Sequence, residues 1–371
     1  MKVLLIDNVD GQLLALKQAL TKSRTKFAHV TGLNAAVSAL SQHQFNVVIC
    51  AGMVDNSNGD TILEMVSKKF PAIVRILIDN SEQQTHSIAH YCFAQPLACH
   101  VIVSTITQRS NNNQAITKDI IVKTIANIKI LPSPPKVYMQ LNAILKERNT
   151  DSHKIAQIIQ QDPALTAKVL QFSNNTFATN GKPMMNISDA ITKMGIDTLC
   201  CIVMTAELFA YNPKIKDFSI LDEQLHCLAT AKLAASMVKA ELKQDAMIAG
   251  LLHDIGKVVL FEVNEKSTAL FFTHRINNDD NLALENKIFA TDHCHVGGYL
   301  LHMWGFSYDI IEAIVLHHSP EKLRQKSFGI AQAVYLANVL INKQTPEAEF
   351  INHYKLTGVI DALMQRDEKL A

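Results

Sequence analysis

Three short apolar runs, VLLI at 3–6, VVIC at 47–50 and IVRILI at 73–78, recur at regular intervals along the first part of the chain. Each is continuous rather than alternating, which suits parallel strands buried on both faces. Helical patterns fill the gaps. Leu13, Leu16 and Leu20 share one face, as do Val37 and Leu40, and again Ile62, Met65 and Val66. Strands alternating with helices at this spacing predict a doubly wound α/β domain. From Pro135 onward the period changes to that of helices almost throughout, in HKIAQIIQQDPALTAKVLQFSN, ISDAITKMGIDTLCCIVMTAELF, EQLHCLATAKLAASMVKAEL, DAMIAGLLHDIGKVVLFEV, DHCHVGGYLLHMWG, SYDIIEAIVLHHSPEKL and FGIAQAVYLANVLINK. Asp162-Pro163 marks one helix start and Ser188 stands in an N-cap position ahead of another. No strand pairing is evident there, so the second domain is expected to be all-α.

Between the two patterns lies STITQRSNNNQAITKD, 104–119, polar and with three consecutive asparagines. It reads as an exposed connection. Pro132, Pro134 and Pro135 then favour an extended backbone. The boundary falls near residue 120, with a first domain over 1–105, a linker over 106–130 and a helical domain over 131–371. The chain has 371 residues, a length that suits about two domains.

Composition narrows the function. The formal net charge is +1 and no block of like charge stands out, so neither nucleic acid nor an acidic membrane is favoured as a partner. MKVLLIDNVD holds too short an apolar run for a secretory h-region. The longest apolar stretches fall short of the roughly 18 residues of a membrane span. The cysteines at 50, 92, 99, 200, 201, 227 and 294 show no CxxC spacing and mostly sit in apolar runs. They are read as reduced, buried thiols of a cytoplasmic protein, and they argue against a zinc site built on sulfur.

Histidine placement is informative. Eight of the 15 histidines fall between 226 and 318, as His226, His253 beside Asp254, His293 and the pair His317-His318, together with His274, His295 and His302. Any lone histidine is more often a satisfied core or surface residue, and the last three are read so. The rest, with an adjacent carboxylate, suit a divalent first-row metal held between helices.

Residues 1–105 resemble a two-component receiver domain. KVLLIDNVDGQLLALKQAL looks like its opening, FNVVICAGMVDNSNGDTILEMV like its phosphorylation strand and loop, AIVRILIDNSE like the next strand, and FAQPLACHVI like the segment with its lysine–proline pair. The resemblance implies a flavodoxin-like fold. It also exposes missing chemistry. The acidic pair reads Asp7-Asn8, the phosphoacceptor position reads Ala51, the Thr/Ser position reads Asp79, and the lysine position before Pro96 reads Gln95. Asp7, Asp10 and Asp55 are therefore read as solvated loop acids rather than an Mg²⁺ site. The expectation is a pseudo-receiver that is not phosphorylated in the usual way and serves docking or dimerisation.

The stretch 120–340 resembles the HDOD branch, the HD-related output domains, of the HD superfamily of metal-dependent phosphohydrolases. LPSPPKVYMQL, IIQQDPALTAKVLQFSNNTF, ISDAITKMG, GLLHDIGKVVLF, DHCHVGGYLLHMWGF and AIVLHHS match it in order and spacing. The resemblance implies His226, His253, Asp254, His293, His317 and His318 as metal ligands, with Asp254 bridging if two ions bind. It implies Gly297-Gly298 as a site of close helix packing. Lys257, one turn after His253, could meet a substrate phosphate as a point charge, so Lys257 and Asp254 are the candidate catalytic residues. The superfamily's last ligand is an aspartate, and here Asn338 stands in its place. An amide brings no charge, so one or two ions of Fe, Mn, Zn, Ni or Mg would be held weakly or not at all. The resemblance implies a bacterial signalling protein acting mainly by binding signalling proteins or a small nucleotide-type ligand, with no nucleic-acid or membrane partner expected and a homodimer as one arrangement. The alternative is a metal-dependent phosphohydrolase or phosphodiesterase acting on a nucleotide.

Overall fold

The computed structural model describes residues 1–8, 11, 13–79, 88–103, 105–106, 152–177, 184–208, 215–275, 281–358 and 360. Residues 121, 125, 137, 140, 141 and 144 are also described. Asp10, most of the expected linker and Pro132, Pro134 and Pro135 lie outside them. The chain divides into two compact units, one of residues 1–122 and 298–311, the other of 123–297 and 312–371.

Among the described residues the first unit has seven strands, β1 (Lys2–Asp7), β2 (Lys26–Thr31), β3 (Val47–Ala51), β4 (Met53–Val54), β5 (Ser57–Asn58), β6 (Val74–Ile78) and β7 (Tyr91–Phe93). Five form one sheet in the order β2-β1-β3-β6-β7, every pair parallel. Helices α1 (Leu14–Lys22), α2 (Leu33–Gln42) and α3 (Gly59–Lys69) connect them. This is the flavodoxin-like order of doubly wound sheets. The three apolar runs are β1, β3 and β6 at the buried centre. The edge strands β2 and β7 do not stand out in sequence. KFAHVT is only half-buried and YCF has three residues, so neither needs a continuous apolar run. Arg75 of β6 is buried, and among the described residues no carboxylate is paired with it. It donates instead to the carbonyls of Ile88 (3.0 Å), Ile73 (3.2 Å) and His302 (2.8 Å). In the same unit the His90 ring stacks on His302 at 4.3 Å, and Tyr308 is hydrogen-bonded to His302 Nδ1 at 2.9 Å.

The second unit is helical, and no strand occurs among the described residues after Phe93. Its described helices begin with α4 (Ser152–Gln160), α5 (Pro163–Phe177), α6 (Ile187–Met194) and α7 (Ile196–Leu208). The expected single helix over 187–209 is two, broken at Gly195 with φ +80°. The N-cap is Asn186 rather than Ser188, its side chain accepting from Asp189 N at 2.9 Å. Ser188 lies two residues too far in, because Ile187 already faces the core. Asp162 caps α5 as expected, accepting from Ala164 N and Leu165 N at 2.9 Å.

The centre of this unit is formed by α8 (Ile220–Ser236), α9 (Lys243–Leu252), α10 (Ile255–Leu260), α11 (Glu265–His274), α12 (Leu282–Phe289), the start of α13 (His293–Trp304), the end of α14 (Tyr308–Leu316), α15 (Pro320–Leu323), α16 (Ile330–Ile341) and α17 (Ala348–Tyr354). All residues of α16 from Ile330 to Leu340 are buried, the mark of a central helix. Two glycines set the closest approaches. A Cβ on Gly250 would stand 2.5 Å from Ala231 Cα, and one on Gly256 would stand 1.9 Å from His293 O and 2.7 Å from Gly297 N. Gly297 thus does serve close packing, with Gly256 as its partner across the contact.

Candidate metal centre

DAMIAGLLHDIGKVVLFEV does not form one helix. It breaks at His253-Asp254, between α9 and α10. The break lets both side chains of an adjacent pair point toward one centre. Around them stand His226 from α8, His293 and Cys294 from the first turn of α13, His317 and His318 just after α14, and Asn338 from α16.

Asp254 lies between two groups of donors. Its Oδ2 is 3.0 Å from His253 Nε2 and 3.6 Å from His226 Nε2. Its Oδ1 is 3.1 Å from His293 Nε2 and 3.6 Å from His317 Nε2. Oδ1 is buried yet accepts no aligned hydrogen bond. On the first side, His226 Nε2 is also 3.2 Å from His253 Nε2 and 3.0 Å from Asn338 Oδ1. On the second side, the ligand atoms of His293, Cys294, His317 and His318 all lie within 4.8 Å of one another.

The far nitrogens of three rings are tied down. His253 Nδ1 donates to Gly250 O and His317 Nδ1 to Ile314 O, each at 2.7 Å. His293 Nδ1 donates to Glu285 Oε2 at 2.8 Å, while the same carboxylate accepts from His293 N at 2.8 Å. Each bond leaves Nε2 turned toward Asp254, the orienting arrangement seen around ligating histidines. Asn342 Nδ2 donates to Asn338 Oδ1 at 2.9 Å, which fixes the amide with its oxygen inward.

Burial, reinforced by His253, pulls the His226 imidazole down to about 3. Burial and the neighbouring His318 place His317 well below its ordinary range. Both are neutral, the form that binds metal. Burial alone would raise the Asp254 carboxyl, but His253 and Lys257 hold it well below the usual carboxylate range. Burial would lower His293, but Cys294, Glu285 and Asp254 outweigh it and raise it. Surroundings that favour a proton on His293 also favour a cation beside it. The neutral imidazoles, the shared carboxylate and its orphaned Oδ1 fit a divalent first-row metal.

Lys257 donates to Asp254 Oδ2 at 2.5 Å and to Glu223 Oε1 at 3.3 Å. Its ammonium is shared by two carboxylates. Burial pushes the Glu223 carboxyl up to about 7. Glu223, Glu285 and Cys294 are the site residues that sequence reading missed. Glu223 lies three residues before His226, so helical spacing was an available signal. Glu285 looks like any helix acid until α12 is folded against His293. Cys294 stands beside these imidazoles because α13 starts where both its first residues reach the cluster. His274, His295 and His302 belong to neither group of converging donors among the described residues. His295 instead pairs with Asp292 Oδ1 at 2.7 Å.

The receiver-like pocket is placed as follows. Asp7 ends β1 and is buried rather than solvated; its carboxylate accepts from Leu13 N and Asn8 N, both at 2.8 Å, and anchors the loop into α1. Asn8 Oδ1 accepts from Asp55 N at 2.7 Å. Asp55 itself is exposed. Ala51 is buried at the end of β3. Asp79 follows β6 with its carboxylate over Gly52, and Gln95 is exposed before Pro96.

The HDOD domain profile matches residues 131–320. The chain belongs to the HDOD family. An uncharacterised protein of Treponema pallidum (strain Nichols) is 22% identical over 245 residues, 64% of this HDOD chain and 47% of that protein. The chain therefore spans about half the length of the curated relative it matches. Among solved structures, a Shewanella amazonensis SB2B protein described as a phosphohydrolase is 20% identical, with a TM-score of 0.53 over 69% of this chain and 95% of its own. An HDOD domain protein of unknown function from Geobacter sulfurreducens is also 20% identical, with a TM-score of 0.51 over 70% and 99%. A Marinobacter aquaeolei VT8 protein described as acting in signal transduction is 15% identical, with a TM-score of 0.55 over 80% and 76%. These likenesses establish the fold. No helix among the described residues is long and apolar enough to cross a membrane.

Proposed function

We propose that this chain is a signalling protein whose HDOD unit holds a divalent metal and acts by binding a partner protein or a small nucleotide-type ligand, without turnover. The observation that carries this reading is Asn338. It faces His226 at 3.0 Å inside an otherwise complete ring of imidazoles. A superfamily phosphohydrolase would have a carboxylate there. With Asn338, Asp254 is the one carboxylate among the expected ligands, and it already carries the Lys257 ammonium. Metal-assisted hydrolysis needs a firmly held ion that lowers the pKa of water and polarises a phosphoryl oxygen. Bound here, a metal would supply that chemistry at the Nε2 atoms of His226, His253, His293 and His317. Lys257 has little freedom left to receive a phosphate.

The receiver-like unit fits the same reading. Ala51 offers no oxygen to a phosphodonor, so the unit acts as a docking or dimerisation module. A second reading, hydrolysis of a nucleotide phosphoester, is favoured by the placement of Asp254 between two donor groups, as a two-metal site requires.

One pair of assays separates them. Metal-loaded protein is incubated with bis(p-nitrophenyl) phosphate and a nucleotide panel, with His253→Ala as background, and separately with radiolabelled acetyl phosphate. The expected result is no turnover above background and no label. Metal-dependent turnover lost in His253→Ala would establish the enzyme. Label in the first unit would defeat the docking role.

A further inference from the structure

Cys294 has no place among the ligands that the HD superfamily implies, yet it stands among them. It is 2% exposed, on the first turn of α13. Its Sγ is 3.5 Å from His293 Nε2 and 4.0 Å from His317 Nε2, and those two nitrogens are 3.3 Å apart. A tetrahedral zinc with Zn–S about 2.3 Å and Zn–N about 2.0–2.1 Å sets sulfur and nitrogen about 3.5 Å apart and two nitrogens about 3.3 Å apart. The three donors already stand close to the edges of such a tetrahedron. His318 completes a set of four ligand atoms within 4.8 Å of one another. A second observation points to the same spot. Asp254 Oδ1, buried and without an aligned hydrogen bond, faces His293 and His317.

We propose that Cys294 is a thiolate ligand, with His293, His317 and His318, of the ion on this side of Asp254, and that it makes the position zinc-selective. This rests on the metal-binding reading above. On binding, the thiol proton leaves to solvent and the S–Zn bond takes its place. The thiolate contributes the negative charge that Asn338 does not bring on the other side. A soft donor favours zinc over magnesium or manganese, which prefer oxygen.

Cobalt(II) is the probe, because it reports its ligands in its absorption spectrum. Full-length, chelator-stripped protein is titrated with Co²⁺, wild type beside Cys294→Ser and Cys294→Ala. The wild type should show visible d–d bands and a near-ultraviolet thiolate-to-cobalt charge-transfer band. Both variants should keep d–d bands from the histidines, which also shows that they fold, and should lose the charge-transfer band. Their zinc affinity should fall at least about tenfold, a loss that even outer partners of ligands produce, with manganese affinity changed less. Wild-type d–d bands without charge transfer, or a charge-transfer band that survives in both variants, would overturn the thiolate while leaving the metal-binding reading intact. No cobalt or zinc uptake by the wild type would overturn both.

Discussion

At the scale of single residues, the centre is decided by which nitrogen of each histidine is left free. The carbonyls of Gly250 and Ile314 and the carboxylate of Glu285 take the Nδ1 protons of His253, His317 and His293. The Nε2 atoms are thereby aimed at Asp254 before any ion arrives. Glu285 is the tunable member, since it is charged and buried. Glu285→Gln keeps the shape and removes the charge. Metal affinity, measured by chelator competition, should fall about 10- to 100-fold, and unchanged affinity would show that Glu285 does not orient the ligand. That His226, His253, Asp254, His293, His317, His318 and Asn338 come together was legible because their segments keep a recognisable order. Glu285 and Cys294 were not, because only the meeting of separate helices brings them to the centre, while Glu223 was signalled only by its helical spacing from His226.

At the scale of elements, breaks and close approaches do most of the positioning. Helix periodicity predicted where apolar faces lie, but it ran through Gly195 and through His253-Asp254, where the chain turns. The second break is what brings the pair into the centre. Gly256 then lets α10 lie directly against the start of α13. Gly256→Ala would push a methyl into His293 O, so α13 must shift and carry His293 and Cys294 with it. The expected result is a loss of metal and about 1–3 kcal/mol of stability by chemical denaturation, and a variant of wild-type stability and metal content would contradict this packing. The sheet was legible in its centre and not at its edges, because only buried strands need unbroken apolar runs.

The same scale sets an acid sensitivity in the first unit. Burial, with Arg75 adding to it, pulls His302 down to about 3, and burial and Arg75 place His90 well below its ordinary range. Both folded-state values lie below the unfolded value of about 6.5. As pH falls through that value the unfolded chain takes up protons that the folded unit refuses, so stability is full above it and drains below. Each group costs about 1.4 kcal/mol per pH unit in that window. The unfolding temperature should therefore drop between pH 7.5 and 5.5. A flat or rising profile would mean that these rings are not held neutral.

At the scale of the whole molecule, each of the two units keeps its architecture and, on the function proposed above, lacks a reactive group. The first retains the parallel sheet, with Ala51 where a nucleophile would stand. The second retains the converging histidines, with Asn338 where a carboxylate would stand. Fold and order were readable from sequence because they rest on periodicity and spacing. Whether the second centre holds an ion is the claim on which the account depends. The measurement is elemental analysis of protein purified without affinity tag or chelator, wild type beside His253→Ala. About one or two equivalents of a divalent transition metal in the wild type, lost or halved in the variant, is the predicted result. A wild-type centre that stays empty after incubation with zinc, manganese and iron would contradict it and leave His253 and Asp254 as parts of the helix packing alone.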